Sequence, residues 1–269
     1  MENLKGKVAV VTGGGRGVGK GAAMGLAEAG AIVYVTGRTE AGENLPGFLS
    51  NTGILSTASE IEMEGGICIP HKCDHAIDHD VEMLFNRVFK EQGRLDILVN
   101  CAWAGGIHAM NSYYFQTPFW EQPVSLWDDH FTVGLRSNYV ASRFAAKIMT
   151  RQKSGLVVNI SYYGGKQYMN NVAYGVSKAA VDRLSADTAY ELKAYGVTVI
   201  SLYPGQVRTE GMVALAKYDK SIDINKMESP RFTGRCIAEL AKDETSIQHT
   251  GNVLITAKVG EHYGITDCF

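Results

Sequence analysis

The chain has 269 residues, 45% of them hydrophobic, with 26 Lys and Arg against 28 Asp and Glu. A chain of this length and apolar content can bury a large core, which excludes global disorder. A net charge of −2 does not favour a polyanion, so we expect no nucleic-acid partner and no electrostatic attachment to a membrane.

Hydrophobic runs stay short along the chain. None approaches the roughly 18 residues that a membrane helix needs, and a glycine-rich turn interrupts the first run, unlike a secretory signal. The five cysteines form no CxxC pair, which is typical of reduced thiols in a cytoplasmic protein. The stretch from Cys68 to His79 comes closest to a metal-ligand cluster, but it lacks a second paired half, so we predict no metal site.

Predicted strands alternate with predicted helices, and the strands are apolar without period-two alternation, as in a sheet covered on both faces. This order predicts an α/β Rossmann fold, a doubly wound seven-stranded parallel sheet with helices on both faces. We find no linker or repeat and expect one domain over residues 1–269. The strands are predicted at Lys7–Val11, Ile32–Val35, Ile67–Pro70, Leu95–Asn100, Leu156–Ile160, Val197–Tyr203 and Asn252–Thr256. The helices are predicted to begin at Val18 and end before Gly30, and to cover Thr52–Glu64, Asp80–Glu91, Ser125–Arg151 and Tyr174–Ala194.

A glycine-rich turn, TGGGRGVG, joins the first strand to the first helix. Glycines at such a junction permit a tight turn and let a diphosphate approach the N–H groups of the helix N-terminus. The spacing is TGxxxGxG rather than GxGxxG, and a simple tight turn is the alternative interpretation. The strand before it and the helix after it favour a dinucleotide cofactor.

The end of the second strand bears on the choice between NAD and NADP. The acidic residue that holds the ribose hydroxyls in NAD-binding proteins is missing there, and Arg38 stands instead, while Arg16 projects from the glycine turn. Two cations suit a 2′-phosphate. The alternative is a pair of solvated surface arginines; we predict NADP(H).

Tyr174 and Lys178 lie four residues apart on a predicted helix and therefore share a face. A nearby ammonium stabilises a phenolate and would bring the tyrosine pKa from about 10 to about 7, so that Tyr174 acts as a general acid toward a carbonyl oxygen. Ser161 follows a strand at the carboxyl edge of the sheet, where its hydroxyl can donate to the same oxygen. An unrelated surface pair is the alternative for the Tyr–Lys spacing.

These motifs together resemble the short-chain dehydrogenase/reductase family, in its single-domain branch, from the first strand to the last. By this resemblance Asn138 completes a catalytic tetrad, Asp74 contacts the adenine, and PGQVRT at 204–209 lies beside the nicotinamide. The segments FWEQP, WDDH, VGLR and QYMNNVAYGVSKAA resemble one branch of that family. Within the NNAG pattern of the family the chain departs at two positions, with Cys101 for the second Asn and Trp103 for the Gly.

The resemblance implies hydride transfer between a nicotinamide and a carbonyl carbon. Tyr174 would protonate the oxygen, Ser161 would polarise it, Lys178 would bind the ribose hydroxyls, and Asn138 would anchor a water of a proton relay; a helix-bending Asn is the alternative for Asn138. The predicted catalytic residues are thus Asn138, Ser161, Tyr174 and Lys178. The predicted cofactor-binding residues are Thr12, Gly13, Gly15, Arg16, Gly17, Val18, Gly19, Arg38, Asp74, Asn100, Ala102, Tyr174, Lys178, Pro204, Gly205, Val207 and Thr209.

Substrate contacts are expected at Trp103, Tyr163, Tyr174 and Gln206. The aromatic residues after the fourth strand form either a substrate pocket or lid, or core or subunit-interface packing, and the sequence leaves both open. Gln206–Phe232 is a second expected lid. The aromatic residues in question are Trp103, Tyr113, Tyr114, Phe115, Phe119, Trp120 and Trp127.

The favoured function is a reversible NADPH-dependent reduction of a ketone, aldehyde or quinone by a homodimer or homotetramer with a small-molecule carbonyl or alcohol substrate. An enoyl reductase or an epimerase of the same superfamily is one alternative, although the former usually spaces Tyr and Lys more widely and the latter usually carries TGxxGxxG and a larger second domain. A catalytically silent NADP-binding sensor is the other alternative, and the intact tetrad speaks against it.

Overall fold

A computed structural model describes residues 4–42, 45–104 and 117–267. Seven strands form one sheet in the order β3-β2-β1-β4-β5-β6-β7, and every neighbouring pair is parallel. The predicted fold class is confirmed. The strand order reverses between β1 and β4, and in open sheets of this kind ligands bind at that point, outside the carboxyl ends of the strands. The strands are β1 Val8–Thr12, β2 Ile32–Gly37, β3 Ile67–Lys72, β4 Ile97–Asn100, β5 Gly155–Ile160, β6 Val197–Tyr203 and β7 Val253–Ile255.

Helices cover both faces of the sheet, and two apolar core clusters lie between sheet and helices, one on each side. The helices are α1 Gly17–Glu28, α2 Ile54–Met63, α3 Asp78–Gln92, α4 Val124–Phe131, α5 Ser137–Gln152, α6 Val172–Leu192, α7 Glu210–Leu215, α8 Pro230–Lys242 and α9 Thr256–Tyr263. Short 3₁₀ turns lie at Gly47–Leu49, Phe119–Glu121, Tyr163–Gly165, Lys193–Tyr195, Ile224–Lys226 and Ser246–His249.

The predicted helix over Ser125–Arg151 is present, but a π-helical turn at Thr132–Arg136 separates α4 from α5. Such single turns of wider helix are frequent at functional sites. The turn directly precedes Asn138, a predicted catalytic residue in the first turn of α5.

Helices α7, α8 and α9 were absent from the sequence prediction. Ser229 followed by Pro230 is a sequence typical of a helix start. In the structure Ser229 is the N-cap residue of α8 and accepts a hydrogen bond from the N–H of Phe232 at 3.2 Å, and Pro230 lies in the first turn. Helix α8 packs closely on α1, where a Cβ atom on Gly21 would lie 2.0 Å from Pro230. This close approach of backbones holds α1 and α8 together.

Candidate active site

The turn between β1 and α1 is tied to the end of β4. Thr12 Oγ1 accepts hydrogen bonds from the backbone N–H groups of Cys101 at 2.9 Å and Ala102 at 3.1 Å. Gly13 has φ +66°, and a Cβ atom there would lie 2.8 Å from the Cα of Ala102. Only glycine fits this left-handed, close approach without a shift of backbone. The crevice between β1 and β4 is therefore bounded by main chain.

Helix α1 begins at Gly17, directly behind this turn. The N–H groups of its first turn, including those of Gly17, Val18 and Gly19, have no acceptor within the helix and form an anion-binding end. In this structure the N–H of Gly17 donates to a carboxylate oxygen of Glu210 at 2.9 Å. Thr209 lies beside it, since a Cβ atom on Gly17 would be 3.3 Å from Thr209 Cγ2.

Glu210 is not among the predicted cofactor-binding residues, the last of which is its neighbour Thr209. The signal available was its position directly after the PG segment, but nothing in the sequence places that segment against the first helix. The contact shows that the segment after β6 reaches the helix N-terminus from the opposite side of the crevice.

Two arginines and one aspartate surround the adenosine end of the predicted cofactor site. Burial lowers the pKa of Arg16, Glu210 opposes that shift, and the charge of Arg38 adds to it. The guanidinium of Arg38 lies 3.9 Å from the Asp74 carboxylate. A cavity of about 320 Å³ opens here, lined by Arg38, His71, Lys72, Asp74, Asp80 and Met83.

These features fit a nicotinamide dinucleotide. The glycine turn leaves no room for a side chain, the N-terminus of α1 offers backbone donors for a diphosphate, and Arg16 and Arg38 are close enough for their charges to interact. Gly15 contributes a further close approach, because its Cβ position is 3.1 Å from the Gly53 backbone. The chain thus has the donors and the open backbone that such a cofactor needs.

The capping of α6 fixes the position of Tyr174. Asn171 is the N-cap residue, and its side-chain oxygen accepts a hydrogen bond from the N–H of Tyr174 at 2.8 Å. The Tyr174 side chain is buried, and on one side of its ring the Gly164 backbone comes close, since a Cβ atom there would lie 2.6 Å from Tyr174 Cε1. The phenol ring of Tyr174 is therefore held in two ways, by the Asn171 cap on its backbone N–H and by the Gly164 backbone at one edge of the ring.

Lys178 and Ser161 meet Tyr174 at the carboxyl end of β5. Lys178 Nζ donates to the carbonyl of Ile160 at 3.0 Å and lies 5.8 Å from the centre of the Tyr174 ring. Ser161 Oγ donates to the carbonyl of Lys178 at 3.2 Å. The structure thus brings three of the four predicted catalytic residues into one cluster.

Burial dominates the acid–base properties of this cluster. It raises the pKa of Tyr174 above its usual value, and Tyr162 adds to the rise. It lowers the pKa of Lys178 to about 8, against the opposing effects of Cys101 and Asp182. The expected fall of the Tyr174 pKa toward 7 is therefore wrong for this structure, because desolvation of the phenol outweighs an ammonium that is turned toward the Ile160 carbonyl.

Asn138 is buried in the first turn of α5 and is connected to Asn100. The side-chain amide of Asn100 donates to the Asn138 carbonyl at 3.4 Å, to Ser142 Oγ at 3.0 Å and to Asn159 Oδ1 at 2.8 Å. The side-chain nitrogen of Asn100 is thus engaged in support of the surrounding structure, whereas its buried oxygen has no hydrogen-bond partner within residues 4–42, 45–104 and 117–267.

A buried polar chain continues from Asn159 toward the catalytic helix. Asn159 donates to Ser185 Oγ at 2.8 Å, and Ser185 and Ser201 share a hydrogen bond of 3.1 Å. Ser201 donates to Asp182 at 2.8 Å, and the Tyr203 hydroxyl donates to the other oxygen of Asp182. Asp182 was missed from the sequence, although it stands one helical turn after Lys178 and so shares its face.

The PG turn after β6 is anchored by a buried carboxylate. The N–H of Gly205 donates to Glu228 at 3.0 Å, and Thr256 Oγ1 donates to both carboxylate oxygens of Glu228. Burial raises the pKa of Glu228. Val207 pairs with Glu228 in a short parallel bridge. Glu228 therefore holds the residues after Pro204 in two ways, through its carboxylate at Gly205 and through its backbone at Val207.

The predicted substrate residues fall into different surroundings. Trp103 stands edge-on to Tyr174, with ring centres 5.9 Å apart. Tyr163 packs edge-on against Tyr203 at 5.2 Å, and Gln206 is exposed beyond the PG turn. Of these residues, Trp103 is in ring contact with Tyr174, the predicted proton donor.

The other described aromatic residues that follow β4 are either exposed or packed on a neighbouring ring. Phe119 and Trp120 are exposed on a 3₁₀ turn, and Trp127 stacks on Phe131 with ring centres 4.1 Å apart. Three further aromatic residues lie outside the described residues; they are Tyr113, Tyr114 and Phe115.

Cysteine and histidine residues show no metal-binding arrangement in the described part of the chain, where no group of three or more potential ligands comes together. Cys68, Cys73, Cys101 and Cys236 are free thiols, and Cys268 lies outside the described residues. Among the helices of residues 4–42, 45–104 and 117–267, none has the length and apolar character needed to cross a bilayer.

The family model for short chain dehydrogenases matches residues 7–220. The chain belongs to the short chain dehydrogenase family. It is 42% identical over 275 aligned residues to dehydrogenase/reductase SDR family member 1 of Mus musculus, with 98% of this chain and 84% of the mouse protein covered. This match confirms the branch of the family that FWEQP and WDDH indicated.

Solved structures of the family share the fold. An NAD(P)-dependent gluconate 5-dehydrogenase candidate from Beutenbergia cavernae, with NADP bound at low occupancy, has a TM-score of 0.78 and 28% identity and covers 95% of this chain and 96% of its own. A metagenomic short-chain oxidoreductase in complex with NADP has a TM-score of 0.73 and 28% identity, with coverage of 94% and 97%. The chain is thus an oxidoreductase-family member whose neighbours bind nicotinamide cofactors.

Proposed function

We propose that this protein is an NADPH-dependent oxidoreductase that reduces the carbonyl of a ketone, aldehyde or quinone to an alcohol, and that the reaction is reversible. The observation that carries the proposal is the convergence of Tyr174, Lys178 and Ser161 at the sheet edge beside the glycine turn. Bound NADPH supplies the hydride. The chain supplies the proton, the orientation of the substrate oxygen and the exclusion of water.

Tyr174 is the proton donor toward the substrate oxygen. A raised pKa keeps its hydroxyl protonated at neutral pH, as a general acid requires in the reductive direction. Ser161 is a second donor to the same oxygen; its hydroxyl contacts the Lys178 carbonyl and Tyr203 in this structure and turns toward the substrate oxygen when a substrate binds. Lys178 carries the positive charge of the cluster and binds the ribose hydroxyls, and Asn138 anchors the water that returns a proton.

The preference for NADPH rests on Arg16 and Arg38. Their charges repel each other, and a phosphate dianion between them would relieve that repulsion. Two solved relatives carry NADP. Asp74 borders the adenine side, and Thr209 and the N-terminus of α1 border the diphosphate side.

Assembly and location complete the proposal. One sheet carries both the glycine turn and the catalytic cluster, which supports a single domain. Free thiols support a reduced, cytoplasmic setting. Membership of the family supports a homodimer or homotetramer, and Trp103, Tyr163 and Gln206 are the proposed substrate contacts.

A carbonyl panel tests the function. The protein is incubated with ketones, aldehydes and quinones and with NADPH or NADH, and the loss of nicotinamide absorbance is followed. We expect turnover with NADPH, and about a tenfold weaker NADPH affinity in Arg38→Ala with little change for NADH, since a charged hydrogen bond is lost. Lys5→Ala, a substitution of a surface cation remote from the site, is the control.

Two results would contradict this assignment. Tight NADPH binding without turnover of any carbonyl would favour a sensor, and a preference for NADH, or an unchanged NADPH affinity in Arg38→Ala, would contradict the assignment of the arginines.

A further inference from the structure

Besides the 3₁₀ turn at Gly164, two further aromatic side chains, Trp103 and His130, contact the ring of Tyr174. The indole N–H of Trp103 donates to Nδ1 of His130 at 3.0 Å. The His130 ring lies 5.6 Å from the Trp103 ring and, edge-on, 5.9 Å from the Tyr174 ring. With the edge-on contact of Trp103 to Tyr174, the three rings form a closed triangle, which we call the aromatic triangle.

The hydrogen bond fixes the protonation of His130 within the triangle. An indole N–H is only a donor, so Nδ1 of His130 must accept and cannot carry a proton while the bond is intact. His130 is 2% exposed, so water does not compete for this bond. The imidazole therefore has one orientation relative to Trp103, and its edge-on contact with Tyr174 has one geometry.

The local backbone makes room for the triangle. His130 lies in the last turn of α4, directly before the π-helical turn at 132–136. Within that turn a Cβ atom on Gly134 would lie 3.2 Å from Trp103 Cδ1, so the indole packs on bare backbone. The π-helical turn thus sets His130 and Trp103 at the distance that their hydrogen bond requires.

We propose that Trp103 and His130 are positioning residues that hold the phenol ring of Tyr174 for proton transfer, as a clamp formed by their two edge-on contacts together with the close approach of the Gly164 backbone. The proposal rests on the proposed function, because it assigns Tyr174 the proton transfer. Neither residue belongs to the predicted tetrad. Trp103 occupies a glycine position of the family pattern, so the clamp is a feature of this chain's own side chains.

A role of Trp103 in core packing alone does not explain its position in the aromatic triangle. A ring that only fills the core is buried, whereas Trp103 is 39% exposed and is nevertheless held by its N–H. Each edge-on ring pair stabilises its geometry modestly, and two such pairs on one ring restrict its tilt in two directions. The catalytic ring is therefore more constrained than its burial alone requires.

A double-mutant cycle tests the clamp. Trp103→Phe keeps a ring and removes the donor, and His130→Phe keeps a ring and removes the acceptor. We expect each to lower kcat about three- to tenfold, with the KM for NADPH unchanged, and the double variant to be no worse than the poorer single one, because both remove the same hydrogen bond. His130→Asn, which restores an acceptor near Nδ1 but not the ring contact with Tyr174, is expected to recover part of the kcat lost in His130→Phe.

The matched control is Trp127→Phe. Trp127 is 41% exposed, like Trp103, and stacks on Phe131 of the same helix as His130. We expect it to leave kcat unchanged. Losses of kcat that multiply in the double variant, an unchanged kcat in both single variants, or an equal loss in Trp127→Phe would overturn the proposal.

A readout independent of turnover separates this proposal from the proposed function. In protein labelled with ¹⁵N-histidine and ¹³C-tyrosine, we expect an unprotonated Nδ1 signal for His130. Both that signal and the Tyr174 ring resonance, assigned by its loss in Tyr174→Phe, should move in Trp103→Phe and stay in Trp127→Phe. A protonated Nδ1, or a Tyr174 resonance that ignores Trp103→Phe, would refute the clamp. No carbonyl turnover with both shifts present would refute the function alone.

Discussion

The glycine turn and the aromatic triangle lie on two sides of the same crevice and are built in different ways. The turn is defined by backbone: Gly13 approaches Ala102 so closely that any side chain would collide. The triangle is defined by side chains from three segments far apart in the chain, and it depends on one hydrogen bond between Trp103 and His130. The residue type at the turn is therefore visible in a short motif, although its partner Ala102 is distant in the chain, whereas the triangle is visible only once Trp103, His130 and Tyr174 are brought together.

The largest effect should come from filling the turn. In Gly13→Val, φ +66° strains a β-branched residue, and its Cβ atom would lie 2.8 Å from the Ala102 backbone. We expect the NADPH affinity to fall at least about a hundredfold and the free energy of unfolding to drop by about 2 kcal/mol or more. Calorimetric binding and thermal unfolding would measure both.

Gly47→Ala is the control for this prediction, because nothing lies within 4 Å of its Cβ position. If Gly13→Val bound NADPH as the wild type does, the cofactor side would not depend on backbone contact, and the contrast with the triangle would fail.

A pH profile should give the next largest effect. It probes Lys178, which lies 5.8 Å from the ring centre of Tyr174 and which we propose binds the ribose of the cofactor. The pKa of Lys178 is lowered to about 8 by burial, so the ammonium is present below that pH and is lost above it. We expect kcat/KM to fall above about pH 8, by up to about tenfold per pH unit. In Lys178→Arg the charge persists, so the residual activity should not fall with that alkaline limb.

The same shift has a consequence for stability with the opposite pH trend. An unfolded lysine keeps its proton up to about pH 10.4, whereas folded Lys178 releases it near pH 8. The unfolded state therefore binds more protons in this window, and the contribution of Lys178 to the free energy of unfolding rises with pH.

For the activity profile, an alkaline limb of kcat/KM at pH 10 or above in the wild type would contradict the burial of the Lys178 ammonium.

The smallest effect should come from Glu210, and it should be a gain. Its carboxylate holds the N–H of Gly17 and offsets the charge of Arg16, both of which we assign to phosphate groups. We expect Glu210→Gln to bind NADPH a few-fold more tightly, because a negative charge next to the diphosphate is removed. Glu239→Gln on α8, which pairs with Lys242, is the control. A weaker NADPH affinity in Glu210→Gln would show that the carboxylate supports the site.

The sequence was informative where residue type dictates backbone. The strands, the turn from Thr12 to Gly19 and the four-residue step from Tyr174 to Lys178 follow from local pattern, and the sheet order confirmed the fold. The family pattern also marked Trp103 as unusual. These inferences needed no knowledge of which distant segments touch.

The missing parts are those that depend on tertiary contact. His130, Glu210 and Asp182 stand in ordinary helical positions; the positions of Asp182 and Glu210 next to predicted site residues were visible, but their partners were not. The predicted pKa of Tyr174 was wrong for the same reason, because the spacing to Lys178 was visible but the burial of the phenol and the direction of the ammonium were not. Desolvation is a property of the assembled site.

Deuterium transfer tests the central claim most directly. The wild type and Tyr174→Phe are each given NADPH in which both hydrogens on the reactive carbon of the nicotinamide are deuterium, together with a ketone or aldehyde found in the panel, and the alcohol is analysed by mass spectrometry. We predict one deuterium on the former carbonyl carbon in the wild type. Formation of this alcohol should be about a hundredfold to ten-thousandfold slower in Tyr174→Phe, at an unchanged NADPH affinity. An alcohol without deuterium, or equal rates in the two proteins, would contradict the account.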